Sequence, residues 1–388
     1  MTVKIIGELP FEKILIAAKE VEKLGGCLVP LNAKKLADLA LSGPREIRIV
    51  THNLNTENGS ILMSSGGTTG APKLTYVNFD MGINRTFEQW KPFEKTDVML
   101  NLFNAGRLWG SHYYIQGLAE KGHCTVIPAG PFKDDEIRIW LPILLDVGMN
   151  TIAGNPTGIA DFGAGHLKHY GPNLSVKKII WLAESWSEQK LKITKTAFPN
   201  AKFWGNYGSV ETFIIATSTP TCDLGTLHLL PDQLLELDDE GALLTRVGNG
   251  WSMPTVRYRL GDKIKFIQCT CGRPYALKVE SRADDSFNLR SNKISINKVL
   301  DTINSIPEVD ASQIILVDHD GAHQSVDVLI IKVVGNISNE KIKTALFKEI
   351  YVLDEVFQAY PDSINIFICD ELERIERTNK IPPVLWKK

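Results

Sequence analysis

A chain of 388 residues, 44% hydrophobic and 23% charged, has the composition of a globular protein, with room for about two or three domains. Its formal net charge of -2 gives no electrostatic reason to expect a nucleic-acid or anionic-membrane partner, and no run approaches the roughly 18 apolar residues of a membrane span. Six cysteines in so long a chain do not make a disulfide scaffold, and MTVKIIGELPFEK has no apolar signal core, so a cytoplasmic location is expected.

Taken in order, residues 11–24 have helical periodicity, with Ile14, Leu15, Ala18 and Val21 on one stripe and Gly25-Gly26 as the stop. A second helix is predicted over 34–41, and EIRIVT (46–51) alternates like a strand. Cys27, Cys124 and Cys369 read as small core residues. Next comes SSGGTTGAPK, from Ser64 to Lys73. Gly66, Gly67 and Gly70 let backbone N–H groups approach a ligand, and successive N–H groups in such a turn make an anion-binding concavity. Ser64, Ser65, Thr68 and Thr69 add hydroxyl donors and Lys73 a positive charge, so the loop is built for phosphate. It is not a Walker A loop, because Ala71 and Pro72 separate Gly70 from Lys73 and no Ser or Thr follows the lysine.

Beyond the loop, KLTYVNFD continues extended and NRTFEQWKPF is helical up to Pro92. VMLNLF (98–103) is a strand feeding a turn that holds Gly106, Trp109, Gly110 and His112, a ligand-lining candidate. CTVIPAG is a strand, DEIRIWLPILLDVG a helix ending at Gly148, TIAGNPTGIADF a strand turning into loop and helix, and KKIIWLAESWSEQKLKITKTAF strand, turn and helix. Strands alternating with helices predict βαβ units and a parallel sheet. Ala183 and Glu184, in AESW, fall at the carboxyl end of a strand, where open α/β sheets bind ligands. AKFWGNYGSVET is again strand then turn, and residues 241–262 are β-rich with turns at 248–250. From about residue 283 the pattern becomes α+β: QIILVD, VDVLIIKVV and SINIFIC as strands, SNEKIKTALFKEIYVL as one helix.

SSGGTTGAPK resembles the phosphate loop of the adenylate-forming superfamily, the group that includes acyl-CoA synthetases, peptide-synthetase adenylation domains and luciferase. NYGSVE resembles its Tyr-Gly-x-[Ser/Thr]-Glu motif, and MPTVRYRLGD the Met-Pro-x-x-Arg-Tyr-x-x-Gly-Asp segment of phenylacetate-CoA-ligase-like enzymes. SRADD…RSNKI resembles the junction before the small domain, and TNKIPP the C-terminal Gly-Lys-Ile segment. The resemblance covers about 60–388, a compact stand-alone form similar also to activating enzymes of antibiotic (phenazine) biosynthesis. It implies an α/β fold: a large N-terminal domain of stacked α/β sheets with a β-rich subdomain (1–282), and a small mobile α+β C-terminal domain (283–388).

It further implies nucleotide contacts by Ser64–Gly70, Lys73, Ala183, Glu184, Asn206, Tyr207, Gly208 and Ser209, with Tyr207 stacking on adenine. Asp262 would take the ribose hydroxyls with Arg282 beside it, Glu211 would hold Mg²⁺, Asp284 would be the hinge, and Lys73 and Lys380 would act catalytically. Gly106, Trp109, Gly110 and His112 would line the acid pocket, and Phe103, Trp109, Tyr113 and Tyr114 would give it a flat apolar wall. Val210, Ser281, Ser291 and Asn379 depart from the family pattern, Val210 at a hydroxyl position and the others at glycines.

The implied reaction is attack of a carboxylate, expected to be aromatic, on the α-phosphate of ATP to give acyl-AMP and pyrophosphate. Transfer to CoA, a carrier-protein thiol or an amine follows, and a homodimer is a further expectation. Two alternatives are an acyl-protein synthetase acting on fatty acids and a degenerate nucleotide-binding protein. Separately, Cys222, His228, Cys269 and Cys271 offer four ligands on two β-rich connections, suiting one structural Cys3His zinc.

Overall fold

The computed structural model describes residues 4–55, 58–65, 73–106, 108–183, 186, 188–238, 240–248, 254–282, 286–318, 326–373 and 384–387. The chain divides into two compact units, the first made of Met1–Ser65, Leu74–Trp186 and Lys190–Ala283, the second built on Asp284–Lys388.

A nine-stranded sheet runs through the first unit. Its order is Asp262–Phe266, Ala276–Arg282, Leu227–Leu229, Phe213–Ser218, Lys202–Ser209, Lys178–Trp181, Thr151–Gly154, Val98–Asn101 and Thr125–Pro128. The last five are parallel. From Lys202–Ser209 towards the Asp262 edge every pair is antiparallel. Parallel strands covered on both faces read as unbroken apolar runs. Thr151–Gly154 is accordingly buried at every position. Helices Ser111–Lys121, Asp134–Asp146, Pro156–Tyr170 and Glu188–Ala197 connect the parallel strands. Pro156–Tyr170 starts where Asn155 accepts the Gly158 N–H at 2.7 Å and Pro156 presets the first helical residue.

A second, antiparallel sheet runs Lys4–Ile6, Gln233–Asp238, Gly241–Arg246, Thr255–Arg259. The ribbon Ile61–Ser65 with Lys73–Val77 brackets the phosphate-loop sequence. Three apolar clusters fill this unit, the largest centred on Leu100, Ile152, Ile159, Ile179 and Leu244.

The second unit has its own core, from Phe287 to Ile364, including Val299, Ile314, Leu329 and Leu353. A hairpin, Ser286–Leu289 with Asn292–Ser295, precedes a sheet ordered Ile364–Ile368, Val328–Gly335, Val309–Val317, Val384–Lys387. Helices Ile296–Asn304 and Asn339–Glu349 begin at Ser295 and Ser338, whose hydroxyls accept the Lys298 and Lys341 N–H groups. The two-residue hairpin turn, Arg290-Ser291, has φ of 49° and 69°. Such turns need positive φ at both central residues. Ser291, standing where the resemblance has glycine, therefore still takes the glycine-like conformation.

Four local expectations are corrected. EIRIVT lies in a helix, Pro44–Leu54, not a strand. Pro44 at its first position and the Glu46 carboxylate, accepting the Gly43 N–H at 3.0 Å, start the helix, and Ile47, Val50 and Thr51 form its buried stripe. The helix expected at 34–41 is a single 3-10 turn, Leu36–Asp38, because the Asp38 carboxylate takes the Lys34 and Lys35 N–H groups and closes the turn on itself. The helix expected through SNEKIKTALFKEIYVL is two helices, Asn339–Glu349 and Tyr351–Ala359, broken at Ile350 with φ -132° and ψ 74°. Cys27, Cys124 and Cys369 are only half-buried. Cys124 precedes the edge strand of the nine-stranded sheet, which has a neighbouring strand on one side only among the described residues.

Candidate functional site

The carboxyl ends of the parallel strands gather the candidate segments. Val98–Asn101 leads into the turn ending at His112, Lys178–Trp181 into Ala183, and Lys202–Ser209 into Glu211. Ala183 has φ 73°, a left-handed value uncommon for a residue with a side chain. Ser64, at the head of the phosphate-loop sequence, is buried and donates its N–H to the Leu108 carbonyl at 2.9 Å. Gly110 lies so close to Met63 that a Cβ there would stand 2.8 Å from the sulfur. These contacts tie the strand leading into the loop to the same end of the sheet.

His112 is buried, and its Nδ1 lies 2.7 Å from the Phe103 carbonyl, the geometry of an Nδ1–H donor. Asn101 sets this connection by donating to the His112 carbonyl at 3.2 Å and accepting the Phe103 N–H at 3.1 Å. Gly106 donates its N–H to the Tyr113 hydroxyl at 3.1 Å, and Trp109 is half-buried beside it. Of the four residues expected to form a flat wall, Phe103 and Tyr114 are buried in one of the apolar clusters, whereas Trp109 is half-buried and Tyr113 exposed.

Tyr207 and Asp262 are 55 residues apart in sequence, yet the Tyr207 hydroxyl donates to Asp262 Oδ2 at 2.6 Å. Asp262 is buried and stands opposite Arg282 in the strand register. Gly208 permits the tight turn that follows, since a Cβ there would overlap the Phe213 carbonyl. Within that turn the Ser209 and Thr212 hydroxyls pair at 2.9 Å, and Ser209 Oγ also accepts the Thr212 N–H. Asn206 is buried, and its side-chain nitrogen has no hydrogen-bond partner among the described residues.

Glu211 is 7% exposed. Its Oε1 accepts the Tyr258 hydroxyl at 3.3 Å, and its Oε2 is buried with no partner among the described residues. A buried carboxylate oxygen without a donor is costly unless a cation completes it, and oxygen is the ligand type that Mg²⁺ takes. The residues present therefore fit a Mg²⁺ ion at Glu211.

Gly66, Gly67, Thr68, Thr69, Gly70, Glu184, Asp284 and Lys380 lie outside the described residues, as do the side chains of Ser65, Lys73 and Arg282. Sequence reasoning missed Tyr258, Gln233 and Arg246. Tyr258 lies inside the quoted MPTVRYRLGD and is flagged only by its motif. Arg246 ends the apolar run GALLT and carries no signal beyond being a cation there. It is fully buried and donates to the carbonyls of Thr212 and Ile214 and to the Gln233 amide oxygen. Burial presses its pKa down to about 9.

The two connections carrying the proposed metal ligands meet. The ligand atoms of Cys222, His228, Cys269 and Cys271 all lie within 4.8 Å of one another. Cys222 Sγ and Cys271 Sγ are 3.7 Å apart, against about 3.8 Å for two sulfurs of a tetrahedron with Zn–S near 2.3 Å. His228 Nε2 is 3.3 Å from Cys271 Sγ, while its Nδ1 lies 2.8 Å from the Pro274 carbonyl, the outer contact that orients a ligating imidazole. Burial, with the Arg273 charge, holds the His228 pKa below its ordinary value, so the ring is neutral and able to ligate. Burial opposes ionisation of Cys222, but bonds from the Thr219 hydroxyl and N–H, with the Cys271 thiol and the Arg273 charge, together outweigh it and lower that thiol's pKa. Burial and the neighbouring thiols push Cys271 up to about 11. The donor set fits zinc.

No family model matches the chain. Indoleacetate–lysine synthetase of Pseudomonas savastanoi is 23% identical over 254 residues, 64% of this chain and 63% of that protein, so the match spans less than two thirds of the relative. Among solved structures, 2-hydroxyisobutyryl-CoA ligase in complex with 2-HIB-AMP and CoA superposes with a TM-score of 0.68 at 15% identity, covering 97% of this chain and 86% of that one. Amide bond synthetase McbA from Marinactinospora thermotolerans gives 0.58 at 14% identity, covering 83% and 67%. At these identities the likeness to the solved structures is one of fold.

Proposed function

We infer that this chain, which belongs to the adenylate-forming superfamily by its fold and the order of its motifs, activates a carboxylic acid with ATP and passes the acyl group to a thiol or an amine. The observation that carries this reading is the Tyr207 hydroxyl bonded to Asp262, together with a Glu211 oxygen, on the turn after the Tyr207 strand, that is buried and has no partner among the described residues.

In the proposed first step a carboxylate oxygen attacks the α-phosphorus. The bond to the bridging oxygen breaks, and pyrophosphate leaves with the electron pair. Tyr207 supplies an aromatic face for adenine, and Asp262, oriented by the Tyr207 hydroxyl, accepts from the ribose diol. Thr68, Thr69 and Lys73 hold the leaving phosphates, and Lys380 stabilises charge developing between carboxylate and α-phosphate. Glu211 would hold Mg²⁺, which when bound neutralises phosphate charge. Trp109 and His112, with Gly106 and Gly110, line the acid site, and the half-buried indole favours a flat, aromatic acid. Relatives named for a lysine conjugate, an amide bond and a CoA ester support both amine and thiol acceptors. Cys222, His228, Cys269 and Cys271 are proposed to hold a structural zinc, closed by four protein ligands.

The test is acid-dependent pyrophosphate release with ATP and Mg²⁺, over a panel of aryl and alkyl acids, with CoA or amines then supplied to the adenylate. Release is expected with aryl acids and is expected to fall about 10²–10³-fold in Lys380→Ala, the usual loss for one preorganised donor. ATP binding without pyrophosphate release from any acid would replace this reading with that of a degenerate nucleotide-binding protein.

A further inference from the structure

Glu211 sits on a turn that is gripped from two sides. The turn joins strands Lys202–Ser209 and Phe213–Ser218, with a register shift between Tyr207 and Gly208. Phe213, at its exit, has φ 53°, strained for a residue with a side chain. From the interior the Ser209–Thr212 hydroxyl pair spans it. The second grip comes from the other sheet. Gln233 and Arg246 are direct cross-strand partners there, and both are buried. Arg246 Nη1 donates to the Thr212 carbonyl and Nη2 to the Ile214 carbonyl at 2.6 Å, one on each side of Phe213. Gln233 Oε1 accepts from Arg246 Nε at 3.1 Å and Nη2 at 2.8 Å, and its Nε2 donates to the Ile215 carbonyl at 3.2 Å. The pair thus engages three carbonyls within four residues of Glu211, while Tyr258, from the next strand of the same sheet, holds Glu211 Oε1.

We propose that Arg246, oriented by Gln233, is a positioning residue that fixes the Thr212–Ile214 backbone so that Glu211 presents Oε2 to a divalent cation. The guanidinium does not touch the ion or the nucleotide. It presents several donors in a planar fork, which an ammonium cannot reproduce. The proposal rests on the reading of Glu211 as a metal ligand.

The experiment measures Mn²⁺ binding by electron paramagnetic resonance to zinc-loaded protein carrying a non-hydrolysable ATP analogue, together with nucleotide binding in the absence of divalent ion and the melting temperature. Glu211→Gln is expected to lose tight Mn²⁺ binding. Arg246→Lys is expected to bind Mn²⁺ about 10- to 100-fold more weakly, the usual effect of removing an outer partner of a ligand, with nucleotide affinity without metal unchanged. A merely structural role lowers the melting temperature but leaves Mn²⁺ affinity intact below it, so wild-type Mn²⁺ affinity in Arg246→Lys overturns the proposal while the Glu211 reading stands. Wild-type affinity in Glu211→Gln overturns the ligand reading and the proposal with it. If Arg246→Lys does not fold, Gln233→Met, which removes two acceptor contacts of the guanidinium, must weaken Mn²⁺ binding in the same sense; unchanged affinity there also overturns it.

Discussion

At the residue scale, the Tyr207–Asp262 hydrogen bond makes one side chain serve two proposed purposes. The ring offers a face, and the hydroxyl, 2.6 Å from Oδ2, fixes the carboxylate that is to meet the ribose. A hydrogen bond to an ionised partner is worth about 1.5–3 kcal/mol. Tyr207→Phe keeps the ring and removes only the donor, so ATP is expected to bind about tenfold more weakly, ~1.4 kcal/mol. Calorimetric titration checks this, with Asp262→Asn expected to lose more. Equal affinity in Tyr207→Phe and wild type would mean that Asp262 is held by other contacts. Tyr207, Glu211 and Asp262 were candidates from the sequence because NYGSVE and MPTVRYRLGD resemble superfamily motifs. Arg246 and Gln233 were not, because their role exists only in cross-strand register: 13 residues apart, they meet through a hairpin and read carbonyls of a different sheet. Nothing local in GALLTR distinguishes an arginine that ends an exposed strand from one that is fully buried.

At the element scale, the parallel half of the large sheet was legible from alternating apolar runs and amphipathic helices, since burial on both faces dictates that pattern. The antiparallel half was not legible: Phe213–Ser218, Leu227–Leu229 and Ala276–Arg282 drew no strand expectation, and a strand as short as Leu227–Leu229 carries too few residues to show a period. EIRIVT misled because apolar residues at 47, 49 and 50 satisfy both periods, and Pro44 with the Glu46 cap decides for helix. The connections 219–226 and 267–275 belong to this scale too. Each is a long turn with little apolar content, and what brings them together is the Cys3His cluster with the Asp223 carboxylate, which accepts the Thr270 hydroxyl at 2.6 Å and the Thr270 N–H at 3.1 Å. Protein purified without chelator is expected to contain about one zinc per chain by elemental analysis. Cys222→Ser is expected to lose the metal, and amide exchange should then rise in these two connections while helix Pro156–Tyr170 stays protected. Zinc-free native protein with both connections already protected would remove the metal from the account.

At the scale of the whole molecule, each unit has apolar cores of its own: one runs from Phe287 to Ile364, and three others are made of residues before it. Separate cores allow separate cooperative transitions, so a single two-state unfolding curve is not expected. A charged cluster offers a way to move one transition alone. Glu373 lies 2.7 Å from Lys332 and 2.5 Å from Lys387, on two strands of the second unit's sheet, and its backbone is paired with the buried Gln313 amide at 2.9 and 3.0 Å. The two lysines hold the Glu373 carboxyl below its ordinary value of 4.5. A carboxyl depressed in the folded state stabilises above its unfolded pKa, and that contribution fades as pH falls through the folded value. The cluster is partly exposed, so solvent screening limits it to about 1 kcal/mol or less. Glu373→Gln is therefore expected to lower the second unit's transition slightly at pH 7 and to leave the first unmoved. The difference from wild type should shrink as the pH falls below the ordinary carboxylate range and through the depressed folded value, where the wild-type carboxyl also becomes protonated. Denaturant-dependent amide exchange, read by peptide, separates the two units. Equal shifts in peptides from both would show that they unfold as one cooperative body, and a difference that persists undiminished at pH 3 would show that the ion pairs are not what Glu373 contributes.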